Sequence, residues 1–145
     1  MRIALGYPTA IDESRIIHRQ PARNALQTMQ HVMDSNDVLQ FQREVDAVRL
    51  DQSLVDYIIA IAHGTRQHPQ LQLGVSPRGA LALAQSARAT ARCADRNFVV
   101  PEDIVGNVLA VCAHRIVLRA SGVNDVSAIA NRILTELIER VPIPV

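Results

Sequence analysis

With 145 residues, 48% of them hydrophobic and 20% charged, the chain has the size and make-up of one globular domain able to bury a core. All 15 of its Lys+Arg residues are arginines, so a phosphate-binding loop of the G-x-x-x-x-G-K-[S/T] kind and any lysine-based covalent chemistry are excluded. A net charge of +1 and an aromatic content of 3% with no tryptophan argue against a nucleic-acid surface or a base-stacking platform.

In chain order, Ile3 to Leu5 is a short apolar stub of strand character, broken by Gly6-Tyr7-Pro8. A stub of that length has no independent stability, so it reads as the end of a strand whose sheet lies elsewhere. The N-terminal residues lack the apolar length and cleavage site of a secretory signal. No apolar run is long enough to span a bilayer, and a cytoplasmic protein is expected. Thr9 caps a first helix, with Asp12 placed as in a capping box, and the helix ends near Gln20 ahead of Pro21. Residues 21–34 read as an irregular connection. Ser35 or Asp37 caps a second helix to about Val48, with Val38, Leu39, Phe41, Val45 and Val48 as its apolar positions. Asp51 caps a third, in which Leu54, Val55, Ile58, Ile59, Ile61 and Ala62 recur at helical spacing. Gly64 to Gly74 is polar, contains Pro69 and reads as a loop.

Ser76-Pro77 is a strong helix start, serine as N-cap and proline at the first helical position. In the alanine-rich helix that follows, Leu81, Ala84, Ala87, Ala91 and Ala94 form a slim stripe that lets another helix pack closely. Arg88, Arg92 and Arg96 recur on another face and read as a solvated stripe. Phe98-Val99-Val100 is extended, and Pro101 opens the next helix with Glu102 and Asp103 in its first turn. The apolar stripe of that helix runs from Ile104 through Val108 and Val111 to Ile116. A last helix starts after Asn124 or Asp125, with Val126, Ile129, Ile133, Leu137 and Ile138 on one face, and ends before Pro142. The fold expected is all-α: a compact bundle of about five to six helices behind the strand-like stub.

His18, His31, His63, His68 and His114 form no H-E-x-x-H and have no carboxylate or thiol at ligand spacing beside a pair, so no metal site is expected. Cys93 and Cys112 lie far apart in apolar helical settings and read as buried reduced thiols. Asp46, Asp51 and Asp56 fit caps and solvated faces, and no G-x-S-x-G elbow accompanies the serines. The segment Gly74-Val75-Ser76-Pro77-Arg78-Gly79 stands apart. A cation at the second position of a helix opposes the helix dipole. The same place suits an anion, because free backbone amides and a guanidinium fork converge there. The plainer alternative is a capped helix whose arginine points into water.

At this segment the chain resembles the C-terminal lid subdomain of the MoxR-type AAA+ ATPases. The matching residues are Gly6-Tyr7-Pro8, Val38-Leu39-Gln40, Val55-Asp56-Tyr57-Ile58, Thr65-Arg66, Leu73-Gly74-Val75-Ser76-Pro77-Arg78, Arg96 to Asp103 as R-N-F-V-V-P-E-D, and His114-Arg115. The resemblance implies that residues 1–8 are the remnant of the last core strand and the core–lid junction, and that 9–145 are the helical lid. It implies that Arg78 is the sensor-2 residue, which reaches the nucleotide phosphates and couples lid position to hydrolysis. Ser76 and Pro77 then set the helix start that aims it, and Tyr7 and Pro8 lie near the adenine. The implied cofactor is ATP with magnesium, bound mainly by a core domain carrying Walker A and Walker B motifs that this sequence does not contain. The chain alone is therefore expected to be inactive. The implied partners are that core, neighbouring subunits of a ring, typically hexameric, and proteins with a von Willebrand factor A domain. The implied work is chaperone-like remodelling.

Two positions depart from the family pattern. Gly79 replaces the usual alanine, which is expected to loosen the first turn by up to about 1 kcal/mol. Asp95 stands where a glycine commonly precedes the arginine. Outside the resemblance, a free-standing helical adaptor using the alanine-rich helix or residues 125–141 is the alternative function. A nucleic-acid domain using the arginine stripe is a third reading, opposed by the near-zero net charge.

Overall fold

The computed structural model describes residues 1–3, 5–19, 28–119 and 125–144. The chain divides into two units, one of residues Ile3–Phe41 and a larger one of Met1–Arg2 with Gln42–Val145. Six α-helices and one two-stranded sheet are present among the described residues, in line with the all-α expectation.

In the smaller unit, α1 (Ala10–Arg19) begins at Thr9. The Thr9 hydroxyl accepts from the Asp12 amide at 3.3 Å and donates to the Asp12 carboxylate at 2.7 Å. The expected end near Gln20 and the connection as far as residue 27 lie outside the described residues. α2 (Ser35–Asp46), whose residues from Gln42 on count with the larger unit, starts on Asp34 rather than on Ser35 or Asp37 alone. Asp34 Oδ1 accepts from the amides of Asn36 and Asp37 at 2.7 and 2.9 Å, and Asp37 Oδ2 accepts the Asp34 amide at 2.8 Å. This is a reciprocal capping box built from two aspartates. Many apolar side chains described in the unit are exposed, among them Ile3, Leu5, Ile11, Ile17, Val38 and Leu39, while Phe41 is half-buried. Ile3 and Leu5 lie in no strand.

In the larger unit the order is α3 (Gln52–Gln67), β1 (Leu71–Leu73), α4 (Pro77–Cys93), α5 (Pro101–Cys112), a 3₁₀ turn (Ala113–Arg115), β2 (Val117–Leu118) and α6 (Val126–Arg140). The core joins Leu54, Ile58 and Ile61 of α3, Leu83 and Ala87 of α4, Ile104, Val108 and Val111 of α5, and Ile133 and Leu134 of α6. The α4–α5 pair is the most extensive contact, and the buried Ala87 and Ala91 let the two backbones approach. Of the expected stripe, Ala87 and Ala91 are buried and Ala84 is half-buried, whereas Leu81 is 62% exposed and Ala94 exposed; Leu83 is buried instead. Asp125 caps α6, its carboxylate accepting the Ala128 amide at 2.9 Å.

The presumed loop from Gly64 to Gly74 resolves differently. α3 continues through Gly64 to Gln67, and α6 packs close at that glycine: a Cβ there would meet Leu137 Cδ2 at 3.0 Å. After Pro69, β1 pairs antiparallel with β2, Leu71 opposite Leu118 and Leu73 opposite Val117. Arg119 fastens this sheet, its amide donating to Gln70 O and its Nε to Leu71 O, both at 2.9 Å.

Two of the three arginines in the stripe are not solvated spectators. Arg92 Nε donates to Glu44 at 2.9 Å and its Nη1 to Asp95 at 2.9 Å. Arg96 grips buried Asp103 with two hydrogen bonds, at 2.8 and 2.6 Å. Asp103 also accepts the Val100 amide at 2.9 Å, so it caps α5, for which Val100 itself has no acceptor. Asp95 has φ +54°, the left-handed region where glycine is the easy choice and aspartate is tolerated. The extended segment before Pro101 pairs with Arg49: Arg49 N–H donates to Asn97 O at 2.9 Å, and Val99 N–H to Arg49 O at 3.0 Å. Both cysteines are free, but only Cys112 is buried, and burial pushes its thiol up to about 11; Cys93 is exposed.

Burial alone would raise the Asp103 carboxyl. The hydrogen bonds from Arg96 and the Val100 amide outweigh it and hold the carboxyl below the usual range. A depressed folded pKa means that this contribution is fully present above the unfolded value of about 3.9, and is lost as pH falls through the folded value. Asp103→Asn is expected to lower the melting temperature at pH 7 by about 5 °C. The deficit should shrink as both proteins are acidified from pH 5 towards pH 2. Equal melting of the two at pH 7, or a deficit that does not change with pH, would contradict the ion pair's role.

Candidate functional site

The site is built on the last turn of α3. Thr65 is fully buried; its hydroxyl donates to Ala62 O at 2.6 Å and accepts the Val75 amide at 2.9 Å. Arg66, the next residue, donates through Nε to Val75 O at 2.8 Å. Both backbone polar groups of Val75 are therefore held by consecutive residues of one helix end. Gly74 makes that approach possible. A Cβ there would lie 2.5 Å from the Arg66 nitrogen and 2.7 Å from the Thr65 carbonyl carbon, so only glycine fits. The Val75 side chain is itself part of the core.

From this anchor the chain enters α4. Ser76 is extended (φ −72°, ψ 164°), and its hydroxyl accepts the Gly79 amide at 3.2 Å. The Ser76 carbonyl accepts the Ala80 amide at 3.0 Å, and Pro77 has no amide to satisfy. Within the first helical turn, Pro77 to Ala80, the one amide left without a partner among the described residues is that of Arg78. The anion-binding capacity of the turn thus rests on the Arg78 guanidinium more than on a cradle of amides. Arg78 is exposed and forms no ion pair or hydrogen bond within the described residues.

Gly79 plays a different part from the one expected. It is buried, and a Cβ there would meet Val75 Cγ1 at 2.8 Å and Arg115 Cδ at 3.4 Å. The glycine lets the Arg115 stem and Val75 close against the first turn, which offsets its poor helix propensity by packing. Arg115 bonds the Val111 carbonyl and the His114 ring. Burial and the Arg115 cation lower the His114 pKa, so that ring is neutral at neutral pH.

The structure therefore groups Ser76, Pro77 and Arg78 in one turn. Tyr7 and Pro8 belong to the smaller unit, where Tyr7 is 100% exposed and Pro8 exposed. Gly74 belongs to the segment that the sequence singles out, whereas Thr65 and Arg66 enter there only as matching residues of the resemblance, with no part in building the site. Among the described residues no group of histidines, cysteines and carboxylates could hold a metal ion, and no helix is long and apolar enough to cross a membrane. A groove of about 470 Å³ lies elsewhere, lined by Glu44, Arg92, Asp95 and Arg96. The carboxylates of Glu44 and Asp95 pair with Arg92, and Arg96 is held by Asp103, so the groove offers no free charge to a ligand. Arg92 and Arg96 are thus committed to carboxylates within the chain.

Comparison with known proteins is consistent with this arrangement. The model of the AAA lid domain matches residues 63–136. The protein YeaC of Bacillus subtilis (strain 168) is 35% identical over 144 residues, which is 99% of this chain and 45% of YeaC. The chaperone MoxR1 of Mycobacterium tuberculosis is 28% identical over 133 residues, 86% of this chain and 35% of MoxR1. A crystal structure of a Cytophaga hutchinsonii protein, named as a candidate ATPase, superposes with a TM-score of 0.80 at 27% identity. It matches 100% of this chain and 46% of its own length. The chain thus spans less than half the length of each.

Gly74→Ala tests the anchor. The added Cβ strikes backbone rather than a movable side chain, so a loss of about 2–3 kcal/mol in urea unfolding is expected. A loss under about 0.5 kcal/mol, the scale of an indifferent surface change, would show that the approach is not needed.

Proposed function

The chain belongs to the AAA lid domain family, as the lid of a MoxR-type AAA+ protein, and we propose that Arg78 is its sensor-2 arginine, meeting the phosphates of ATP. The observation that carries this reading is an exposed guanidinium without a carboxylate partner, standing on a helix start whose backbone is held from two sides. Cleavage of a phosphoanhydride develops negative charge that must be neutralised in place, and a fixed arginine supplies that neutralisation. Ser76 and Pro77 aim the turn. Tyr7 and Pro8, with the rest of residues 1–8, form the core–lid junction and lie towards the adenine. Magnesium and the bulk of the ATP contacts belong to a core domain, so residues 9–145 act as the moving part. An arginine that binds phosphate better in one lid position makes lid angle and nucleotide state depend on each other.

The exposed apolar side chains of the smaller unit support a core domain as partner. Leu5, Tyr7, Ile11, Ile16 and Ile17 form the kind of surface that another domain covers. The chain's share of its relatives' length, 45% of YeaC and 35% of MoxR1, leaves room for such a domain in proteins of this kind. On this reading the whole protein assembles as a ring, typically hexameric, and remodels client proteins as a chaperone, with von Willebrand factor A domain proteins as candidate companions. MoxR1 carries the name of a chaperone, which supports that role.

The test joins the chain to its ATPase core. Arg78→Ala should lower ATP turnover by about tenfold or more. Because the Arg78 side chain is exposed and makes no hydrogen bond or ion pair among the described residues, the melting temperature of the 145-residue chain should stay unchanged. Turnover like that of the unaltered protein would remove Arg78 from the mechanism. The 145-residue chain alone should hydrolyse no ATP.

A further inference from the structure

We propose that Thr65 and Arg66 are positioning residues for Arg78, and that their grip on Val75 sets the direction in which α4 presents its guanidinium. The inference rests on the sensor-2 reading of Arg78 and assigns the residues that make it work.

The hydrogen bonds of the first turn of α4 are local: the Ser76 hydroxyl accepts the Gly79 amide and the Ser76 carbonyl the Ala80 amide. Pro77 contributes no amide, the Arg78 amide is unbonded among the described residues, and Gly79 is the most pliable residue a helix can hold. The Ser76 cap closes this turn on itself but does not fix it to the rest of the fold. Fixation comes from the residue before the cap. The Val75 amide ends on the buried Thr65 hydroxyl at 2.9 Å, and the Val75 carbonyl ends on Arg66 Nε at 2.8 Å. Thr65 is in turn locked to its own helix by the 2.6 Å bond to Ala62 O, so its acceptor lone pair has one direction. A hydrogen bond from a cation to a carbonyl is stronger than a neutral one, and a guanidinium Nε offers it along a fixed line. Gly74 brings the strand end into van der Waals contact with the same two residues. Two peptide planes ahead of Arg78 are thus referenced to the end of α3.

Loss of that reference moves the guanidinium without touching it. A displacement of about 1 Å at a catalytic group can cost about a hundredfold in rate. Because the effect passes through Arg78, it must vanish when Arg78 has no guanidinium to aim.

The experiment is a double-mutant cycle on turnover in the ATPase that carries this chain. Its members are the unaltered protein, Arg66→Gln, Arg78→Ala and the combination, with Thr65→Val and Thr65→Ser beside them. Arg66→Gln and Thr65→Val are each expected to lower kcat by about tenfold. Thr65→Ser keeps the hydroxyl and should stay within about twofold of the unaltered protein. The combination of Arg66→Gln with Arg78→Ala should be no slower than Arg78→Ala alone. Circular dichroism and melting of each variant monitor the fold; if Arg66→Gln does not fold, Arg66→Lys, which keeps the charge but lacks the Nε donor, takes its place in the cycle. Additive losses in the combination, or unaltered turnover in Arg66→Gln and Thr65→Val while Arg78→Ala is slow, would overturn the positioning role and leave the sensor-2 reading standing. Unaltered turnover in Arg78→Ala would overturn both.

Discussion

Val75 is where the chain passes from the small sheet into α4, and neither of its backbone polar groups is free to choose a partner. One ends on Thr65 and the other on Arg66, while the absence of a side chain at Gly74 lets both bonds close. Buried backbone groups must be paired somewhere, and here the pairing is concentrated on one turn of one helix. The consequence travels forward along the chain. Ser76 can cap α4 only from an extended conformation, and the anchored Val75 supplies a fixed platform for it. Arg78 at the second helical position is mildly unfavourable against the helix dipole. Its exposure keeps that cost small, and the anchored backbone holds it there in spite of it.

The far end of α4 is secured by charge rather than by backbone pairing. Arg92 reaches Glu44 and Asp95, and Arg96 reaches Asp103, which at the same time caps α5. The left-handed Asp95 turns the chain between the two helices and returns its carboxylate to Arg92. With Ala87 and Ala91 allowing close approach, α4 and α5 form a hairpin tied at its turn and packed along its length. On the proposed reading, a lid must transmit a change at the phosphates to its remaining surface. A hairpin with one end at Arg78 and the other locked by paired charges is suited to move as a body.

The parts that were legible in the sequence are those whose signals are local. Thr9 with Asp12, Ser76 with Pro77, Pro101 and Asp125 announce helix starts because capping is a matter of a few adjacent residues. The candidate turn around Arg78 was legible for the same reason. What could not be read depends on distant partners. β1 and β2 are too short to show alternation, and they exist because Leu71–Leu73 and Val117–Leu118 meet across 40-odd intervening residues. Gly64 looks like a breaker until α6 is seen to pack against it through Leu137. Arg92 and Arg96 look solvated on a helical wheel, since the wheel cannot show Glu44 or Asp103 arriving from other elements. Gly79 looks like a weak helix residue until Val75 and Arg115 occupy the space of its missing side chain.

The arginine-only composition acquires a structural sense from these same contacts. Arg66, Arg92 and Arg119 each donate through Nε along a fixed line, and Arg96 holds one carboxylate with two parallel bonds. An ammonium group has no Nε and no planar fork, so lysine could match the charge at these places but not the geometry. The fold therefore uses its cations as directional donors to carbonyls and carboxylates inside the larger unit. Arg78 has the same fork with nothing among the described residues to receive it. A planar pair of donors matches the spacing of two phosphate oxygens as it does that of a carboxylate. On the proposed reading, the partner that this exposed guanidinium lacks among the described residues is a phosphate brought to the anchored turn from outside.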